Sequence, residues 1–323
     1  YDMTELIEQS GVDLDRYEPT TIDAIKQLND GKMYSLPVYG NTLVLFYNQD
    51  VFDQFGLNYP TNDMTWEETM EIAKRITRVE DEVQYIGLTH YPTLTTRMNP
   101  MSIPTIDMES GQPTINTDDR WKTFYEMFFV NPVAEGYQDW LNEVTPGAMP
   151  NAFYNLKNIG MYAGMVSTLA IANPELENFE WDLVALPSFA DNPGVGAQIN
   201  SINFGITKLS SEKEEAMEVI KYMGSDEFQM QLSRKAVMPV IKNQEVREAF
   251  GKESPHGEKN YQALFYKDPA PVPEKTYYDA DMVSIYQAEG VEVMLGNKDV
   301  NTARRDAHEL AVQKLEELKK ANE

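Results

Sequence analysis

The residue types that most often carry enzyme chemistry are sparse in this sequence. It has three histidines and no cysteine in 323 residues, against 52 acidic residues. A chain without cysteine has no disulfide framework, thiolate zinc site or cysteine nucleophile. His256 follows a proline in a polar segment and His308 lies in a charged one, so we expect both at the surface. With so many carboxylates, acid and base pairs of the glycosidase type arise by chance. The sequence therefore gives little support for an enzyme.

Two aromatic positions still merit a test as metal or pocket residues. The adjacent Tyr277 and Tyr278 could bind ferric iron as phenolates, but such a site usually adds His or carboxylate ligands. His90, beside Tyr91 at the end of a predicted strand, is the one available histidine, and it fits a plain loop position as well as a ligand pocket. Packing or ligand stacking suits the tyrosine pair better than iron. We expect no metal site and no cofactor.

Aromatic and amide side chains cluster near the ends of predicted strands, where open α/β sheets usually bind ligands. This mixture suits sugars, because a pyranose packs its C–H face on an aromatic ring while its hydroxyls need directional polar partners. The candidate residues are Tyr39, Asn41, His90, Tyr91, Tyr162, Asn200, Ser201 and Asn203.

Short apolar runs and amphipathic stretches alternate along the chain, which is typical of an α/β fold. Leu43 to Tyr47 is an uninterrupted apolar run bounded by turn residues, which predicts a strand buried on both faces. Further strands are predicted at three places. These are Ile86–Leu88, Trp181–Leu186 and Ile202–Ile206.

Helix starts are indicated by capping residues. Thr65 with Glu68, and Ser211 with Glu214, have capping-box spacing, and Asp299 can cap a long final helix. In the helices that follow the first two caps, apolar residues at helical spacing predict a buried stripe. The stripes are Ile72, Ala73 and Ile76 for the first helix, and Ala216, Val219, Ile220 and Met223 for the second.

Charge and length exclude further classes. The formal net charge of −25 disfavours nucleic acid as a partner, because phosphate binding depends on Lys and Arg. No run approaches the roughly 18 apolar residues that a membrane-spanning helix needs. The length suggests about two domains at roughly 100–200 residues each, yet composition marks no clean boundary.

Five segments, in order, resemble the family 1 extracellular solute-binding proteins of ABC importers. The first is YSLPVYGNTLVLFYNQD from Tyr34, which runs on toward TWEETMEIAKRIT. The later ones are FYNLKNIGMYAG, FEWDLVALPSF, EAMEVIKYMGSDEFQMQLSRKAVMPV and MLGNKDVNTARRDAHELAVQKL. The resemblance implies no enzyme but a binding protein that delivers a sugar or oligosaccharide to a membrane permease. It also implies an extracellular, cell-surface location with a lipid anchor in the full-length protein, and we expect a monomer.

The resemblance further implies a maltose-binding-protein-like α/β fold of type II, with two lobes joined by hinge crossings. The first lobe would comprise 1–42 and 187–240, and the second 43–186 and 241–323. Crossings are expected near residues 39–43, 186–190 and 239–242. Because the family begins with further strands and helices, we expect an incomplete first lobe that lacks on the order of a hundred residues.

Ligand contacts follow from the same resemblance. Asn41 matches an acidic sugar contact, Tyr91 an aromatic contact, and the stretch of Asp279 and Asp281 a region with a stacking aromatic. Many sugar-binding members have a Trp near Gly164, and Tyr162 is expected to replace it in part. The ligand could instead be a peptide, a polyamine or another small polar solute. A secreted carbohydrate-active enzyme and a structural surface protein are the remaining alternatives.

Overall fold

A computed structural model describes residues 1–145, 148–166 and 174–321, which form an α/β protein with two separate sheets. The strands are β1 (Leu36–Asn41), β2 (Leu43–Asn48), β3 (Arg78–Glu80), β4 (Val83–His90), β5 (Ile159–Met165), β6 (Trp181–Ala185) and β7 (Asn200–Phe204). The described helices are α1 (Thr4–Gln9), α2 (Pro19–Gln27), α3 (Gln49–Gln54), α4 (Trp66–Ile76), α5 (Pro92–Arg97), α6 (Arg120–Tyr125), α7 (Tyr137–Val144), α8 (Met149–Leu156), α9 (Lys213–Met223), α10 (Asp226–Arg234), α11 (Gln244–Glu248), α12 (Asp279–Met294) and α13 (Val300–Ala321).

The larger sheet has five strands in the order β3-β4-β5-β2-β6. Strand β2 pairs antiparallel with β5 on one side and β6 on the other, and all six of its residues are buried. The strand predicted from the apolar run is thus confirmed, including its burial on both faces. Strand β4 runs parallel to β5, so the carboxyl ends of these two strands lie at one edge of the sheet.

The smaller sheet consists of β1 and β7 in antiparallel register. Only Thr42 separates β1 from β2, so the chain passes from one sheet to the other within a single residue. Strand β7 begins and ends two residues earlier than the sequence predicts, because it is fixed by pairing with β1. Its last three residues are all exposed, so this strand lacks the alternation of buried and exposed residues that a half-buried strand shows.

Two of the three predicted helix caps occur in the structure, and the third does not. Thr65 caps α4 as predicted: its hydroxyl accepts from the Glu68 amide at 3.2 Å, and its own amide donates to the Glu68 carboxylate at 2.9 Å. The second capping box is wrong, because the Ser211 hydroxyl instead donates to Glu212 and no side chain caps α9. On α9, Val219 is 56% exposed, since the buried stripe runs through Met217 and Ile220. Asp299 caps the final helix as predicted, accepting from the Asn301 and Thr302 amides.

The described residues pack into two apolar cores. The larger core surrounds the five-stranded sheet, and the smaller gathers α1, α2, β1 and α9. Ile241 and Val246 belong to the smaller core, although they were assigned to the second lobe. Ala236 and Met238 belong to the larger core, although they were assigned to the first. The lobe boundaries therefore stay a prediction, while the existence of two packing units is a property of the structure. Below, these are the small unit and the large unit.

Candidate ligand-binding crevice

A crevice of about 500 Å³ lies between the small unit and the large unit. Helix α2 and strand β7 form its small-unit side, and α5, the segment 272–278 and the start of α12 form the other. Apolar groups such as Leu28 and Val283 alternate along its walls with amide and hydroxyl groups. Predicted site residues are found on both sides.

Three of the predicted residues line the crevice together from strand β7: Asn200, Ser201 and Asn203. Pairing with β1 places Asn41 directly opposite Asn200, so Asn41 adjoins this row. Tyr39 lies two residues before Asn41 on the same strand and is 37% exposed. Because side chains alternate along a strand, Tyr39 and Asn41 share one face of the small sheet. The structure therefore brings five of the ten predicted residues to one two-stranded sheet.

The carboxyl ends of β4 and β5 adjoin the same region. The Asn41 side-chain amide donates to the Met165 sulfur at 3.1 Å, which joins the last residue of β1 to the last residue of β5. Tyr91 follows β4, and its backbone carbonyl accepts from the Thr95 amide as α5 begins. Its side chain is half-buried and lies outside the crevice lining. Helix α5 then carries Arg97 to the crevice.

His90 is a core residue in this structure, with no exposed surface. Its Nε2 lies 2.9 Å from the Phe128 carbonyl oxygen and its Nδ1 lies 3.0 Å from the Thr95 hydroxyl. A carbonyl can only accept, so we assign the proton to Nε2 and let Thr95 donate to Nδ1. Burial lowers the pKa of His90 to about 4, partly offset by the bond to Phe128. The imidazole is thus neutral and is not available to a ligand in the crevice.

Tyr162 is also buried, and its ring stacks between Phe46 and Phe153 with centroids 6.1 and 5.8 Å away. Burial raises the pKa of its phenol. A Cβ placed on Gly164 would lie 2.1 Å from the Tyr162 ring, so glycine is needed there for the ring to fit. Tyr162 therefore fills the core beneath β5 and provides no exposed platform in place of a Trp.

The two predicted aspartates point in different directions. Asp279 lines the crevice, and its Oδ1 accepts from the Thr276 amide at 2.6 Å and the Thr276 hydroxyl at 2.9 Å. Asp281 is two residues further along α12 and lies outside the lining, with its Oδ1 3.9 Å from Lys314 Nζ. Residues two apart on a helix do not share a face, which explains the separation.

The crevice also contains basic residues, which were not among the predicted site residues. Arg97 ends α5, and Lys275 lies in the proline-rich segment before α12 with its Nζ 3.5 Å from Asp279 Oδ2. Burial lowers the pKa of Lys275, and the Asp279 carboxylate opposes that shift. Tyr277, weighed earlier as an iron ligand or a stacking ring, lines the crevice and is 98% exposed. Only the position of Arg97 could have indicated its place in the crevice from the sequence, because it lies six residues after Tyr91, which follows the end of a predicted strand.

The crevice thus offers amides, a hydroxyl, an exposed phenol ring, a Lys–Asp pair and an apolar floor. Such a set can bind a polyhydroxylated molecule through directional hydrogen bonds and ring packing. None of its lining residues is a histidine or cysteine that could serve as nucleophile or base. Within residues 1–145, 148–166 and 174–321, no group of three His, Asp or Glu side chains could hold a metal ion, and no helix is long and apolar enough to cross a bilayer.

Two α/β units around a polar crevice define a two-lobed solute-binding protein. The family model described as bacterial extracellular solute-binding protein matches residues 1–230, and the chain belongs to this family. An arabinooligosaccharide-binding protein of Halalkalibacterium halodurans is 22% identical over 205 residues. That match covers 60% of this chain and 44% of the relative, so the chain spans less than half of that protein's length.

Solved structures show the same fold. A sugar transporter from Rhizobium etli in an open conformation superposes with a TM-score of 0.75 at 22% identity, covering 96% of this chain and 79% of the other. An ABC substrate-binding protein from Listeria monocytogenes in complex with cycloalternan gives 0.72 at 19% identity, covering 98% and 80%. The predicted two-lobed α/β fold and the predicted family are confirmed.

Proposed function

We propose that this chain provides the ligand-binding crevice of an ABC importer component that captures a sugar or oligosaccharide outside the cell. The observation that carries the proposal is the crevice itself, which is lined by Asn200 and Asn203 from the small unit and by the exposed Tyr277 from the large unit. Proteins described as binding arabinooligosaccharide and cycloalternan share its family or fold, which supports a carbohydrate.

Ligand binding would act by bringing the two units together. A solute that contacts both sides gains its full set of contacts only in the closed arrangement, so it shifts the population toward that arrangement. The passage from β1 to β2 through Thr42 is short enough to serve as a pivot. The closed form is then what the membrane permease would recognise. A lipid anchor in the full-length protein would hold it near that permease, and it would act as a monomer.

The test is calorimetric titration of the full-length protein with neutral sugars, including arabino- and malto-oligosaccharides. We expect saturable binding and a matching rise in melting temperature. Tyr277→Ala should weaken binding roughly three- to tenfold, because it removes a stacking ring. Tyr266→Ala is the matched control: that ring is 52% exposed, and its hydroxyl donates to Asp63 outside the crevice. If no sugar gives binding heat or a melting shift, carbohydrate is the wrong ligand class.

A second candidate is a polar solute that carries an anionic group, such as an acidic sugar. Arg97 and Lys275 favour it, because they place two cations in a crevice whose one titratable carboxylate is Asp279. The same cations disfavour a polyamine. Titrating a neutral disaccharide against its uronic-acid counterpart separates the two candidates. A preference for the acidic sugar that Lys275→Met abolishes would select the anionic ligand.

A further inference from the structure

A second cavity of about 210 Å³ lies where the chain passes between the two units. Its walls include residues from three connections: Thr42 between β1 and β2, Leu186 after β6, and Met238 and Lys242 before α11. It shares only Ile199 with the ligand-binding crevice. It is therefore a site separate from the ligand-binding crevice and from the function proposed for it.

Charged side chains from both units converge on this hinge cavity. Three are basic, Lys242, Arg247 and Lys267, and two are acidic, Glu18 and Asp268. The cavity thus carries one excess positive charge in a chain whose formal net charge is −25. Such a local excess of cations runs against the protein's overall charge.

The basic side chains have donors that no described residue uses. Arg247 Nη2 donates to Glu18 Oε2 at 2.7 Å, but its Nε is buried without an acceptor. Lys267 Nζ donates to two backbone carbonyls, Met64 at 3.1 Å and Leu186 at 3.0 Å, which leaves a third N–H. Lys242 forms no ion pair with any described residue. Burial lowers the pKa of Lys267 to about 8, and the nearby Asp63 carboxylate opposes that shift.

We propose that the hinge cavity binds a small oxyanion, a phosphate or a carboxylate, held by Arg247 and Lys267. An oxyanion supplies several acceptor atoms at once, and charge-assisted hydrogen bonds to guanidinium and ammonium groups are the strong ones. Its negative charge offsets the one excess positive charge among the residues that line the cavity. The site needs both units, since Glu18 precedes α2 of the small unit and Lys267 follows the 3₁₀ turn Tyr261–Phe265 packed on the large sheet.

The test uses inorganic phosphate and acetate as probes, titrated separately into the full-length protein without sugar, with chloride holding ionic strength constant. We expect saturable binding of at least one anion, seen by calorimetry and as a rise in melting temperature. Lys267→Met and Arg247→Lys should each weaken it at least roughly tenfold. Lys208→Met, which removes an exposed lysine outside the cavity, should leave it unchanged. The more tightly bound anion identifies the source, tetrahedral phosphate or planar carboxylate.

Equal responses to both probes and to chloride, or binding that survives both cavity variants, would overturn the proposal and indicate a water-filled cavity. Should the variants fail to fold, crystals of the unaltered protein soaked in selenate provide a second measurement. An anomalous selenium peak between Arg247 and Lys267 is expected. A peak elsewhere, or none, would contradict the site. These outcomes are independent of sugar binding, so the proposed function can fail while this site stands, and the reverse.

Discussion

Acidification should destabilise this protein through His90, and the amount follows from its burial. The folded-state pKa of about 4 lies below the ordinary value of 6.5, so the unfolded chain binds a proton more readily. Stability from the neutral imidazole is therefore complete above pH 6.5 and is lost as the pH falls from 6.5 toward 4. At 1.36 kcal/mol per pKa unit, the full loss is about 3 kcal/mol, of which about 2 kcal/mol falls between pH 7 and pH 5.

The assay is urea unfolding at pH 7, 6 and 5, comparing the unaltered protein with His90→Gln. Because many carboxylates also titrate, the informative quantity is the difference between the two proteins in their loss of unfolding free energy. The Gln variant should lose about 2 kcal/mol less over this range. Its side-chain amide can still donate to the Phe128 carbonyl, which limits the cost of the substitution at pH 7.

His308→Gln is the control, since it removes a half-exposed imidazole from α13 and keeps the His90 environment intact. Between pH 7 and pH 5, this variant should still lose the roughly 2 kcal/mol of unfolding free energy that protonation of His90 causes. Equal losses in the unaltered protein and His90→Gln would show that the imidazole is accessible to solvent and would refute the core position. A large effect of His90→Gln on sugar affinity without any effect on stability would instead return His90 to the ligand site.

Two further pairs of substitutions, each a test with its control, probe helix capping and local packing. Thr65→Ala removes a capping box that the structure contains and should cost about 1 kcal/mol in chemical denaturation, whereas Ser211→Ala, where no cap forms, should stay within about 0.5 kcal/mol. Gly164→Ala places a methyl group against the buried Tyr162 ring and should destabilise by about 1–3 kcal/mol. Gly196→Ala, whose nearest neighbour would be 3.7 Å away, is its control in the same melting assay, and equal shifts for the pair would contradict the packing described.

Structural elements that depend only on residues adjacent in the sequence were predictable. The Thr65 capping box and the apolar run of β2 are local patterns, and both occur as predicted. The five segments that resemble the solute-binding family, taken in their order along the chain, also indicated the family. Their order reflects a shared fold and does not depend on any single residue contact. Strand β7 was placed two residues too late, since its bounds come from a partner about 160 residues earlier in the chain.

Burial of polar and aromatic groups was less predictable. His256 was expected at the surface, but it is 7% exposed and its ring packs edge-on against Trp181. His90 and Tyr162 were expected near ligand, and they lie in the core among Phe128, Phe46 and Phe153. A histidine or tyrosine can be buried wherever its polar atoms find partners or its ring finds space, and those partners come from distant segments.

The sequence by itself determined the α/β class, the family and several helix and strand positions, because hydrophobic period and capping chemistry act over a few residues. Only the tertiary structure decided which polar groups face a cavity. Arg97 and Lys275 line the crevice together, and Arg247 and Lys267 line the hinge cavity together, because packing brings together segments far apart in the chain. Charge in a folded protein acts through distance in space, and that distance is set by the packing of the two units.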